Sequence, residues 1–209
     1  MLNLKKVIVV IDPHSESQPG LQKVLQLAKL MDFDLKLIAC EYTQYLVEGY
    51  YFNAVDVPGL RNEYLEERKA MLETLAEPLR ANGLVVETEA FWAHPGHETI
   101  VAEVDSFKAD LVVHHTRRHG AISRMFLTND DWQLVRYCQA PLLLVKENIW
   151  KETPAILTAV DPMHSRHKPD GLDHKLLRVA GDLAERIQGD VFAVHSHSQI
   201  PLSGTYPEQ

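Results

Sequence analysis

The chain has 209 residues, 45% of them apolar and 24% charged, which suits a folded globular protein with a sizeable core. Its formal charge is −8, from 29 acidic against 21 basic residues, a field that repels nucleic-acid phosphates and anionic lipid heads and argues against general nucleic-acid or membrane binding. Cys40 and Cys138 are the only cysteines, too widely spaced for a disulfide framework or a zinc knuckle, so they read as reduced thiols of a cytoplasmic protein.

Val7 to Ile11 is an unbroken β-branched run stopped by Asp12-Pro13. Such a run, without alternation, predicts a central parallel strand covered on both faces. It is too short for the core of a signal peptide, and no stretch of the chain is long enough to span a bilayer. Ser15, Ser17 and Pro19 give helix-start chemistry, and Leu21, Val24, Leu25, Ala28 and Met31 follow at helical spacing. Leu35 to Cys40 is a second apolar strand, completing a βαβ unit.

Gln44 to Gly59 is aromatic and poorly periodic and reads as a long surface excursion ending at Pro58-Gly59. Its aromatic residues Tyr45, Tyr50, Tyr51 and Phe52, with Tyr42 just before it, fit either a lid over a crevice or packing beneath a loop. Leu65, Leu72, Leu75, Ala76 and Leu79 mark an amphipathic helix, with Pro78 in its last turn and Asn82-Gly83 at its end. Its mixed charges, Glu63, Glu66, Glu67, Arg68, Lys69 and Glu73, read as a solvated face. Leu84, Val86, Thr88 and Ala90 alternate with charged residues, as on a strand at a sheet edge.

His94-Pro95-Gly96 turns the chain into a helix carrying Ile100, Val101 and Val104, and Leu111 to Val113 is another buried strand. A basic loop, His114 to Ser123, leads to a helix starting at Asp130 or Asp131 and running through Leu134, Val135 and Cys138. Leu142 to Val145 is a fifth strand. The alternation predicts an α/β fold: an open, parallel five-stranded sheet with helices on both faces, a Rossmann-like arrangement. Residues 1–147 form this domain and 148–154 a polar linker.

Residues 155–209 then repeat the opening as a partial β-α-β copy. Thr158-Ala159-Val160-Asp161-Pro162 echoes Val9-Val10-Ile11-Asp12-Pro13. Leu172, Leu176, Val179, Ala180, Leu183 and Ile187 make the matching helix, and Val191 to Val194 the matching second strand. A lone βαβ unit leaves apolar faces uncovered, so the copy is expected to pack on the first domain, to pair with another chain or to belong to a truncated product, and homo-oligomers are expected.

Taken together, several segments resemble the universal stress protein family, in its tandem two-domain type, with the second copy truncated. They are the aspartates Asp12 and Asp161 at strand ends, the stretch Trp92-Ala93-His94-Pro95-Gly96-His97-Glu98-Thr99-Ile100, the stretch Leu127 to Trp132, and Pro141 before the last strand. The resemblance implies a stress-response role. ATP-binding members carry a loop of the form G-x2-G-x9-G-[ST], whose backbone N–H groups close around the phosphates. Here those positions fall on His115, Arg118, Thr128 and Asn129, and Gly120 is out of register. By the same resemblance Asp12 would face adenine. Asp12, His115, Arg118, Thr128 and Asn129 are therefore read as a degenerate nucleotide site, with ATP not expected and no cofactor required.

The chain has 11 histidines. His114, His115 and His119 follow the fourth strand, with His14 after the first and His195 and His197 after the strand of the partial copy. Two readings stand: a transition-metal site, zinc above all, or loop histidines without a shared centre. Arg117, Arg118, His119 and Arg124 fit either an anion site or a solvated loop paired with Asp130 and Asp131. G-x-S-x-G, Walker and G-x-G-x-x-G motifs are absent from the sequence. The expected function is a non-enzymatic stress protein that binds a small molecule or protein partner; the alternatives are an ATP-binding regulator or weak ATPase, and a metal-binding stress module.

Overall fold

The β-branched run near the start forms β1 (Lys6–Val10), with Val7, Ile8 and Val9 wholly out of water. The computed structural model describes residues 4–44, 57–116, 129–148, 150–151, 153–162 and 169–196. Around β1 stand α1 (Pro19–Ala28), β2 (Asp34–Glu41), α2 (Val57–Ala81), β3 (Val86–Trp92), α3 (Gly96–Phe107), β4 (Leu111–His115), α4 (Asn129–Tyr137) and β5 (Leu142–Val145). The sheet order is β3-β2-β1-β4-β5 and every pairing is parallel. β1 pairs with β2 from Lys6 opposite Asp34 to Val10 opposite Ile38, and with β4 from Val7 opposite Leu111 to Val10 opposite His114. This is the five-stranded parallel α/β sheet that the alternation of elements predicts, with its alternating strand β3 at an edge.

The core beside α3 and α4 joins Ile8, Ile38, Ile100, Val104, Phe107, Val112 and Leu134. Lys36 lies within the apolar β2 and is nearly buried, yet Glu103 and Glu89 meet its Nζ at 2.5 and 2.7 Å. Burial opposes its charge, but the hydrogen bonds to the two carboxylates outweigh burial and raise its pKa above the ordinary lysine value. At the sheet edge Glu73 of α2 receives hydrogen bonds from Arg80 and from Thr88 of β3, which hold its carboxyl down at about 2.

Several local boundaries differ from the sequence reading. Neither Ser15 nor Ser17 caps α1; Gln18 occupies the cap position, and its side chain instead ties the turn, accepting from Asp12 N and donating to the carbonyls of Asp12 and Ser15. Met31 is buried but lies beyond the end of α1. Pro58-Gly59 belongs to α2 rather than ending a loop, because proline fits the first helical turn, where its missing N–H has no partner to lose. The same helix passes Pro78 and closes as expected at Asn82-Gly83, where Gly83 takes φ +90°. β3 starts at Val86, two residues after Leu84, and α4 starts at Asn129 and stops before Cys138. Tyr45, Tyr50, Tyr51 and Phe52 lie outside the described residues.

The chain divides into two compact units, one spanning Asn3–Asn148 and the other containing Ile149–Gln209. In the second, β6 (Ala155–Ala159) and β7 (Asp190–Val194) pair in parallel, joined by α5 (Leu172–Ile187). Ala180 and Ala184 are buried, whereas Leu157, Val191, Phe192 and Val194 remain exposed. Among the described residues no helix is long and apolar enough to cross a membrane.

Ile38, fully buried on β2, tests this packing. Ile38→Ala should cost about 2–5 kcal/mol, read as a lower urea midpoint at unchanged slope. A midpoint within error of the parent would contradict the core described.

Candidate ligand crevice

The chain leaves β1 toward β2 on one side, and β4 pairs on the other, so strand order reverses between β1 and β4. Loops that follow strands diverging in this way leave a crevice at the C-terminal ends of the strands. Here a crevice of about 660 Å³ opens there, lined from β1, β2 and β4 and the segments that follow them, and from α3 and α4. Its apolar lining comes from Val10, Ile11, Cys40, Ile100 and Leu134.

Asp12 lines this crevice. Its Oδ1 accepts a hydrogen bond from the backbone N–H of His14 at 3.0 Å, the turn-capping role that Asp before Pro suggests. The ring of His14 turns elsewhere: its Nε2 lies 3.3 Å from Oε1 of Glu41.

Glu41, last residue of β2, is the most buried carboxylate but one in the described site, with 2% of its side chain exposed. Arg68 of α2 reaches it with Nε at 2.7 Å, and Tyr42 N donates to Oε1 at 3.1 Å. A buried carboxylate needs such a partner, because removing the cation leaves an uncompensated charge in a poorly polarisable place. The sequence reading placed Arg68 on the solvated face of its helix; the structure corrects this, since the arginine folds inward to the sheet.

Asp131, in the first turn of α4, has 1% of its side chain exposed and contacts His114 Nε2 at 3.0 Å. The pair links the end of β4 to the start of α4. His114 Nδ1 is buried and has no hydrogen-bond partner among the described residues. Tyr42 stacks on His94 with ring centroids 4.4 Å apart and planes 15° from parallel, and Trp92 stands 6.0 Å from Tyr42.

Of the residues read as a degenerate nucleotide site, Asp12 and His115 line the crevice and Asn129 is the first residue of α4. Arg118 and Thr128 lie outside the described residues, as do Arg117, Gly120 and Arg124. His114 and His115 come together at the crevice, while His119 lies outside the described residues. Among the described residues no three His, Cys, Asp or Glu side chains converge to hold a metal. In the smaller unit His195 Nδ1 stands 3.2 Å from the Val160 carbonyl and 3.8 Å from Asp161, and His197 is outside the described residues.

Sequence reasoning missed Glu41, Arg68 and Asp131. Glu41 carried a usable signal, being the charged residue that closes an apolar strand where doubly wound sheets bind ligands. Arg68→Met should destabilise the chain by about 3–5 kcal/mol, and adding Glu41→Gln should recover part of the loss in a double-mutant cycle. Additive losses would show that the two side chains do not depend on each other.

Comparison with known proteins places this geometry in a family. The model of the universal stress protein family matches residues 3–146. Universal stress protein E of Escherichia coli K12 is 26% identical over 207 residues, covering 99% of this chain and 63% of the relative. The Haemophilus influenzae homolog of that protein is 22% identical over 97% of this chain and 67% of its own length. This chain thus spans about two thirds of the length of these curated relatives. A solved universal stress protein structure from Pseudomonas aeruginosa UCBPP-PA14 superposes with a TM-score of 0.73 at 24% identity, covering 93% of this chain and 62% of the other. With its sheet order, its crevice and a family match over most of its length, the chain belongs to the universal stress protein family.

Proposed function

We propose that this chain is a non-enzymatic stress-response protein of the cytoplasm that works by holding a small ligand in the crevice, without a grip on triphosphate. One observation carries the reading. The crevice is formed and walled by imidazoles and carboxylates, while the four sequence positions where ATP-binding members have small residues hold His115, Arg118, Thr128 and Asn129. A phosphate loop works by close approach of backbone N–H groups, and side chains at its glycine positions oppose both that approach and the φ > 0 conformations it uses.

The chemistry of the walls fits binding rather than turnover. Asp12 engages His14 through its backbone N–H and not its ring, so the two do not form a base and its orienting carboxylate. The His114–Asp131 pair has the geometry of an oriented base, but among the described residues lining the crevice there is no serine or threonine for it to activate. Cys40, which does line it, points its thiol toward the Gly96 carbonyl at 3.9 Å.

Thermal melting of the full chain with and without millimolar Mg-ATP tests the reading. The expected result is an unchanged midpoint. A ligand at a hundred times its Kd adds about 2.7 kcal/mol, roughly 5–11 °C for a chain of this size, and a shift of that order would overturn the ATP-independent reading.

A further inference from the structure

The smaller unit repeats the opening of the larger one, and backbone hydrogen bonds bring the two copies into register residue by residue. Ile11 N donates to the Ile38 carbonyl as Val160 N does to the Val194 carbonyl, and Asp34 N donates to the Lys5 carbonyl as Asp190 N does to the Pro154 carbonyl. In β1 and β2 Ile8 stands opposite Lys36 and Val10 opposite Ile38; in β6 and β7 Leu157 stands opposite Phe192 and Ala159 opposite Val194. Leu157 therefore holds the place of Ile8, Phe192 that of Lys36 and Val194 that of Ile38. Strand side chains alternate between faces, so these three share one face of the β6–β7 pair. The opposite face carries Thr158, which is buried, as are Ala180 and Ala184 of α5.

The equivalent face of the larger unit is covered by α3. Ile8 and Ile38 are wholly buried there with Ile100, Val104 and Phe107, and Glu103 of the same helix meets Lys36. In the smaller unit that face is open: Leu157 is 68% exposed, Phe192 54% and Val194 42%. Its size matches one helix. A pair of five-residue strands is about 17 Å long and about 10 Å wide, and a twelve-residue helix such as α3 is about 18 Å long and about 10 Å across. A second copy of this chain is a poorer match, because a patch on the order of 200 Å² falls well short of the roughly 800 Å² per partner of a stable dimer. The chemistry differs from that of the larger unit at one position. Phe192 in place of Lys36 removes the charge that Glu103 answers, so the occupant needs an apolar side chain there and not an acid.

We propose that the open face of β6 and β7 docks an amphipathic helix of a partner protein, about three turns long, with apolar side chains at i, i+3, i+4 and i+7. Those are the positions that Ile100, Glu103, Val104 and Phe107 hold on α3, with the acid exchanged for a hydrocarbon. They fall on one stripe of a helix, and that stripe is what Leu157, Phe192 and Val194 can bury. The surface belongs to the smaller unit, so the inference stands or falls apart from the ligand crevice.

Labelled peptides with the twelve-residue sequence of α3 serve as probes, each held helical by a hydrocarbon staple that replaces Glu98 and Ala102 on the side away from the stripe, since so short a helix does not persist alone. Fluorescence anisotropy with the full chain reads their binding. The Glu103→Leu peptide should bind saturably, and about tenfold or more tighter than the peptide that keeps Glu103 or one carrying Glu103→Leu with Val104→Asp. Phe192→Lys in the chain should reverse the preference, so that the peptide keeping Glu103 binds the tighter. This exchange is made at an exposed position, where it leaves folding intact, and nonspecific adhesion of apolar peptides would not follow it. Leu157→Asp should weaken the Glu103→Leu peptide about tenfold or more. Equal affinities for the three peptides, no saturable binding of the Glu103→Leu peptide, or an unchanged preference in the Phe192→Lys chain would overturn the proposal. Sedimentation of the chain alone as a dimer that Leu157→Asp dissociates would overturn it in favour of a second copy.

Discussion

β1 lies between β2 and β4, with Val7, Ile8 and Val9 entirely removed from water, and the functional geometry of the larger unit depends on that placement. A strand covered on both faces can contribute chemistry only at its ends. With β2 on one side and β4 on the other, the segments leaving their C-terminal ends diverge and open the crevice. Asp12 is the first residue able to take part, immediately after the apolar run stops. The stability of the sheet and the location of the site thus follow from the same run of β-branched residues.

The crevice then has to keep charged groups where water is scarce. Glu41 and Asp131 have 2% and 1% of their side chains exposed, and each has a basic neighbour, Arg68 or His14 for the first and His114 for the second. These contacts reach across elements: α2 to β2, and β4 to α4. Apart from Arg68, the groups that fix the helices against the sheet also line the space between them. Lys36 shows the contrasting case on the same strand, a buried charge neutralised by Glu89 and Glu103 away from the crevice lining.

The sequence made the sheet readable because its signals were local. The unbroken run at Val7–Ile11 indicated a covered central strand, and the alternation from Val86 to Ala90 indicated an edge. Asp12-Pro13 marked the strand end on which the site is built. Boundaries were less readable where a residue serves two structures: Pro58 signals a turn and also suits a helix's first turn, so α2 starts earlier than its apolar spacing suggests. The site was only half legible. Asp12 could be placed by its position after β1, whereas His115, read as part of the loop that follows Val113, is the last residue of β4; Arg68 meets Glu41 across 27 residues, and its helical neighbours in sequence are solvated charges. Likewise Asp131 looked like a surface helix start, and only the fold brings His114 against it. Pairings of this kind depend on tertiary approach, which propensity and spacing do not encode.

The central claim is that the crevice persists while the grip on triphosphate is lost with the loop glycines. Equilibrium dialysis with labelled ATP, comparing the parent chain with a variant carrying His115→Gly, Arg118→Gly, Thr128→Gly and Asn129→Ser, tests it most directly. The account predicts no saturable binding by the parent and saturable, magnesium-dependent binding by the variant. Stoichiometric ATP binding by the parent, no tighter in the variant, would contradict it.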